Sequence, residues 1–406
     1  MNQKPADLGI PIDSGRSKTA LEDRPLKKEI HKNAIIFPIR SITSNDNGID
    51  CDEKVVNYGG VTSSTANVIA HSTQRRGKML LYHPPALHTH KNNDKPRLRG
   101  SYVFGGFWIE HFGHFLLESL SRHWSYCNNT LPILFIRHGR AEISAGKQSI
   151  LESIGVNSNR IVFIDTPTIV DDLIVGEPAI EVHNRINRNF LSISEKMQEN
   201  ENFIRCVDSL NSSTSRSKYL YVSRNQFSNQ REFGERTLEK ALLKNNIDVI
   251  YPETLKFYQQ AAYFYSYQVR IGVSGSSLHN VIFSQPDTTT IHICNKVHNT
   301  YRMLDSVSRS NSVFIYGLHR TSLKAFDRNR GPWLLDTPRV MKALNSCAEI
   351  SEAGQFSTDM SVYEAERLAY RHAWISTALQ DFQERGQISA IDDIIELCLE
   401  SLSKAK

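Results

Sequence analysis

The sequence predicts an α/β protein of two domains with a helical tail. Three observations carry this. Over residues 218–294, short β-branched runs alternate with amphipathic runs, the pattern of a parallel sheet with crossover helices. The 406 residues exceed what one hydrophobic core usually organises. Beyond residue 330 the apolar period becomes helical and stays so.

Taken in order, residues 1–30 are polar, with Gly, Pro and Ser, and read as a flexible arm. Residues 31–210 form a first, Rossmann-like domain. It opens with strand-like runs (NAIIFPI, KVVNYGGV, ANVIAH, KMLLYHP) separated by Asn, Asp and Gly turns. A helix is predicted over 108–126, then a buried strand in PILFIR. KQSILESIGV is a helix stopped by Gly155, and RIVFID and DLIVGE are further strands. A polar helix over 190–215 runs into NSSTSRSK, which marks the domain boundary. Residues 211–325 form a second Rossmann-like domain. Its strands are KYLYVSR, IDVIYP, QVRIGV and TTTIHIC; its helices lie in GERTLEKALLKNN, TLKFYQQAAYFYSY and GSSLHNVIF. Residues 326–406 are a helical extension with a helix over 361–386 and a second over 391–404.

Composition narrows the function. A net charge of +5 is too weak a bias for a nucleic-acid binder and suits an anionic small ligand or an anionic membrane surface. Basic residues concentrate at Arg16–Lys32 and His88–Arg99, which read as solvated tail and loop or as phosphate or lipid-headgroup contacts. Six cysteines are scattered without a C-x-x-C pair, so neither a disulfide scaffold nor a cysteine zinc site is expected. No run approaches the roughly 20 apolar residues of a membrane span, and no secretory leader is visible. The expected location is cytoplasmic, with peripheral contact at the inner face of the membrane open.

Three clusters carry chemistry. The first is GGFWIEHFGHFLLESLSRHW, residues 105–124. Helical spacing puts His111, His114 and Glu118 on one face beside an apolar flank. Three readings fit: a metal triad, an inert solvated face, or an acid–base pair in which Glu118 orients His114. Either His114 or Glu118 could be the base. The second cluster is VSGSSLHN, residues 273–280. An apolar strand runs into Gly275, Ser276 and Ser277 at a helix start, which suits helix capping or a phosphate; His279 and Asn280 follow in the first turn. The third is SRNQFSNQRE, residues 223–232. Arg224 at a strand end and Arg231 in the loop suit a diphosphate, while Arg231 could equally pair with Glu235.

Taken in chain order, the clusters resemble glycosyltransferase family 61, whose bacterial members include capsular polysaccharide biosynthesis proteins. The segments that carry the resemblance are HFGHFLLE, VSRNQFSNQREFGE, PETLKFYQQ and GVSGSSLHN, over residues 100–295. His111 stands where the family usually has Asn, and Ser274 where many members have His. The resemblance implies a GT-B architecture, two Rossmann-like domains facing across a cleft. It implies inverting transfer from a nucleotide sugar, by resemblance a UDP-sugar, with no cofactor or obligatory metal. The acceptor would be a polysaccharide or lipid-linked chain of capsule or lipopolysaccharide. His114, Glu118 and His111 would then lie on the catalytic side. Arg224, Arg231, Glu235, Gly275, Ser276, Ser277, His279 and Asn280 would lie on the donor side. A metal-dependent hydrolase, a non-catalytic envelope-assembly partner and a homo-oligomer are the remaining expectations.

Overall fold

The computed structural model describes residues 12–15, 21–41, 55–65, 67–85, 95–137, 142–214, 216–227, 232–319 and 332–384. It is a mixed α/β protein built on two principal sheets.

The back sheet has five parallel strands in the order Asp248–Ile250, Tyr219–Val222, Val269–Val273, Thr289–Cys294 and Asn311–Tyr316. In chain order this is second, first, third, fourth, fifth, a doubly wound sheet. Tyr219–Val222, Val269–Val273 and Thr289–Cys294 are buried at every position, as strands covered on both faces must be. The alternation in the sequence predicted these strands. The connection reverses direction between Tyr219–Val222 and Val269–Val273, the switch point beside whose carboxyl ends open α/β sheets bind ligands.

The front sheet has eight strands and is mixed. Thr168–Gly176, Arg97–Trp108, Ile133–Arg137 and Ile161–Ile164 run parallel, as a Rossmann-like unit would. Lys28–Ser41 lies antiparallel to Thr168–Gly176 and to Val55–Thr62. Gln74–Arg76 and Met79–His83 complete that edge as a hairpin. The uniform parallel sheet expected for residues 31–210 is therefore only half realised: Lys28–Ser41 joins antiparallel to both neighbours, Val55–Thr62 lies parallel to Met79–His83, and among the described residues before 84 the only helical element is the 3-10 turn Ala70–Ser72. ANVIAH is not a strand: Val68 makes an isolated bridge and Ala70–Ser72 is a 3-10 turn.

The flexible arm expected over residues 1–30 also needs correction. Ile12–Gly15 pairs antiparallel with Asn311–Tyr316 at the edge of the back sheet. Leu21–Glu22 pairs with Arg185–Asn187, and the strand beginning at Lys28 belongs to the front sheet. Much of the expected basic surface is spent on internal pairs. Arg24 bridges to Glu177, Lys28 donates to the Ser125 carbonyl at 2.8 Å, and Arg97 bridges to Asp171 at 2.5 Å. Residues 86–94 lie outside the described residues.

The polar helix read over 190–215 is two helices, Ser192–Gln198 and Glu201–Ser212, broken at Asn200, whose side chain caps the second. One hydrophobic cluster joins the two halves. It runs from Val103, Phe115 and Leu117 through Phe203 to Leu220, Leu278 and Met303. Phe203 meets Tyr265 edge-on at 5.5 Å and Phe112 meets Phe257 at 6.2 Å across the junction. Beyond residue 332 come Thr337–Asn345, Ala348–Ala353 and the long helix Met360–Glu384. The helix expected over 391–404 lies outside the described residues.

Candidate active site

The helix predicted over 108–126 is three short pieces. The strand Arg97–Trp108 runs further than expected, an α-turn covers Phe112–His114, and a π-helical turn covers Phe115–Ser119. A last short helix is His123–Tyr126. The cause is burial on every side. All five residues Phe115–Ser119 are buried, so this segment has no solvent face of the kind an amphipathic helix keeps. Arg122 is fully buried as well and ties the end of the segment to the front sheet, donating to the carbonyls of Gly176 at 3.1 Å and His71 at 2.6 Å. The widened turn, with the Leu120 N–H reaching back to the Phe115 carbonyl at 3.1 Å, accommodates this.

His114 and Glu118 still meet, with Nδ1 2.7 Å from Glu118 Oε2. A third residue completes the arrangement. Arg76 on the short strand Gln74–Arg76 donates through Nε to Glu118 Oε1 at 3.1 Å and through Nη2 to Oε2 at 2.7 Å. Burial alone would raise the Glu118 carboxyl. Hydrogen bonds from His114 and Arg76 outweigh it and hold the group below its ordinary range, ionised at neutral pH. A proton must lie between Nδ1 and Oε2 at that separation, and with Glu118 ionised it sits on Nδ1, which leaves Nε2 as the ring nitrogen outside this contact. Glu118 is 0% exposed, whereas a third of the His114 side chain is open. The imidazole is thus the partner able to reach a substrate.

His111 is exposed, with its ring centroid 5.4 Å from that of His114. Partial burial, then the charges of His114, Arg76 and Arg224, push its pKa down. Both oxygens of Glu118 face a guanidinium, so a metal ion beside it would have to displace Arg76. Among the described residues, no three His, Cys, Asp or Glu side chains converge as metal ligands.

The two halves meet at this segment. A Cβ on Gly113 would stand 2.6 Å from Ser276 Oγ and 3.0 Å from His279 Cε1, so a larger residue would have to push both side chains aside. Burial, then the nearby charges of His114 and His111, depress the His279 pKa to about 3. Ser276–Phe283 is a 3-10 helix rather than the α-helix expected, and it has no side-chain cap. The capping role considered for Ser276 and Ser277 is therefore not used. Both are partly exposed, just beyond the carboxyl end of Val269–Val273. Asn280 faces inward: it is 0% exposed and donates to Gln260 Oε1 at 3.0 Å. Gln260 in turn donates to the Pro252 carbonyl at 2.8 Å, which ties PETLKFYQQ to the GSSLHN loop.

Arg224 lies at the carboxyl end of Tyr219–Val222, its Nη1 2.8 Å from where a Gly275 Cβ would sit. Glu232 holds that Nη1 at 2.6 Å. Glu235 is an internal support. It is 0% exposed and accepts from the Tyr221 hydroxyl at 2.8 Å and from the Arg224 backbone N–H at 2.9 Å. Burial pushes its pKa up to about 8. Arg231, and with it the considered pair to Glu235, lies outside the described residues.

The structure therefore brings His111, His114, Gly275, Ser276, Ser277, His279 and Arg224 to one junction. Glu118, Glu235 and Asn280 stand behind them as supports. The residue missed by sequence reasoning is Arg76. Its only sequence signal was a pair of arginines before the turn at Gly77, in a hairpin remote from the motif.

An imidazole bound to a buried carboxylate shares the junction with a strand-end arginine and a serine loop on a doubly wound sheet, the residue types that acid–base chemistry beside an anionic group draws on. Residues 112–291 match the family model for Glycosyltransferase 61. This region makes the protein a glycosyltransferase, an enzyme with a donor and an acceptor substrate. Arg76 and His111 fall outside the matched segment. No curated protein matches the chain.

Proposed function

We propose that the protein is an inverting glycosyltransferase of GT-B type. It takes a nucleoside-diphosphate sugar, a UDP-sugar by resemblance, and needs no obligatory metal. Its acceptor is a hydroxyl of a polysaccharide or lipid-linked chain made at the inner face of the cytoplasmic membrane, as in capsule synthesis. The observation that carries this reading is the contact of Gly113 with Ser276 and His279, which sets His114 opposite Arg224 and the Gly275 loop. Among the described residues no helix is long and apolar enough to cross a membrane, which is compatible with a peripheral enzyme.

The chemistry has two demands. The acceptor hydroxyl must lose its proton as it attacks the anomeric carbon, and the departing diphosphate must have its growing charge met. His114 Nε2 accepts the proton, while Glu118 stabilises the imidazolium that forms. The bond from the anomeric carbon to the diphosphate oxygen breaks, and its electron pair leaves with the diphosphate. Arg224 and the backbone N–H groups at the start of Ser276–Phe283 face that charge. Attack opposite the leaving group inverts the anomeric centre.

His114→Ala should lower transfer by about 10²–10⁴-fold, the usual worth of a general base, with donor affinity nearly unchanged. Arg224→Ala should weaken nucleotide binding measured by calorimetry. Near wild-type transfer in the first variant, or unaltered affinity in the second, removes that residue's role. A thermal-shift screen of nucleotides and nucleotide sugars identifies the donor, because a ligand stabilises the fold according to its affinity.

A further inference from the structure

Arg76 belongs to neither the matched segment nor any motif of the sequence. Its strand lies at the far edge of the front sheet, and the turn at Gly77 returns the chain into Met79–His83. That hairpin sends a guanidinium to a carboxylate 42 positions along the chain. Two of its nitrogens take one oxygen each of Glu118, a side-on pairing that fixes the carboxylate plane. Oε2 then receives two donors, Nη2 of Arg76 and Nδ1 of His114, both at 2.7 Å. The 3.1 Å approach of Arg76 Nη2 to His114 Nδ1 follows from both crowding onto one oxygen.

We propose that Arg76 is the positioning residue of the His114–Glu118 pair: it neutralises the buried carboxylate, so that the ring binds Glu118 through Nδ1–H as a neutral imidazole with Nε2 available as base. This deepens the glycosyltransferase reading and rests on it. The physical argument is charge balance. Glu118 is fully buried, and a buried carboxylate requires a cation or several donors. With Arg76 present, one anion is matched by one permanent cation, and a proton on the ring would be a second positive charge beside the first. Without Arg76, His114 is the nearest group able to supply the missing charge. The other groups facing the pair do not alter this balance. His111, His183 and His279 are imidazoles whose pKa values burial lowers, and Tyr82 is a phenol whose pKa burial raises. Arg224, on the His111 side, is already paired with Glu232.

The test compares wild type, Arg76→Met and Arg76→Lys in the full-length protein, by the pH profile of transfer and by ¹⁵N spectra of histidine-labelled protein. His114→Gln identifies the His114 signals. In Arg76→Met, the acidic limb of the profile should move to higher pH by about one unit or more, since a neighbouring cation that opposed ring protonation is gone. The His114 ¹⁵N signals should show the imidazolium at pH values where wild type shows the Nδ1–H tautomer. Arg76→Lys should restore most of the profile position, because the charge remains, while still losing rate through the lost side-on geometry. A fall in rate with the limb and the ¹⁵N titration unmoved would overturn the proposal and leave Arg76 a packing residue. The spectra read the ring directly, so they decide the proposal even where a variant is too weakly active to assay. Failure of the base assignment itself shows separately, as transfer that survives His114→Ala.

Discussion

At the residue scale, the spacing of His111, His114 and Glu118 was readable because positions three and four apart share a helical face, and one π-turn does not undo that over a single repeat. The division of labour within the trio was not readable. Glu118 is distinguished from His114 by Arg76, which arrives from a separate hairpin, and no local pattern encodes that meeting. Glu235 is a similar case. It reads as a donor-side acid at a helix start, yet it is sealed beneath Arg224 with one oxygen unpartnered. Its pKa is raised from 4.5 to about 8 by burial, so between those values the folded protein holds a proton that the unfolded chain releases. Stability from this group is therefore full below pH 4.5 and declines as pH rises to 8. Glu235→Gln should flatten that part of the curve, measured by urea denaturation at pH 5 and pH 8. An equal slope in both proteins would contradict the assignment.

At the element scale, the back-sheet strands were legible because a strand buried on both faces is a short apolar run between polar turns. The first half was less so. Its early strands mix antiparallel pairs with one parallel pair, Val55–Thr62 on Met79–His83, that is reached through a 3-10 turn and a short strand rather than a long helix, so they gave no strand–helix alternation to read. The cap of the helix Glu235–Lys244 also escapes sequence reasoning. Its N-cap position is Gly234, with φ +92°, in the left-handed region that favours glycine and with no side chain to offer. The cap comes from the C-terminal helix instead: Glu366 accepts from the backbone N–H groups of Gly234, Arg236 and Thr237 at 3.0, 3.2 and 2.8 Å, and from the Thr237 hydroxyl. A carboxylate at a helix N-terminus also meets the positive end of its dipole. Glu366→Ala should cost about 1–3 kcal/mol, within the range for losing a charged cap, and lower the melting temperature. Loss of less than about 0.5 kcal/mol would mean that water replaces the carboxylate at little cost.

At the scale of the whole molecule, the two-sheet plan was readable, and the way the sheets join was not. Sequence reasoning placed a boundary near residue 210, where polar composition suggests a linker. The helix ending at Ser212 instead packs across the junction, and one apolar cluster continues from Phe115 to Leu278. Contacts between distant segments, such as Gly113 on Ser276, leave no trace in local periodicity. Residues 1–214 and 216–406 expressed separately should each expose a face of that cluster, bind a hydrophobic dye and lack a cooperative melt, whereas co-expression should rescue both. Two independently melting, monomeric halves would refute the continuous core. The opening residues bear on the same matter. Ile12–Gly15 lies along the outer strand of one sheet, and Lys28–Ser41 is threaded between two strands of the other. The first described residues work like a seat belt fastened to both sheets, and any wide separation of the two would have to unclip it first.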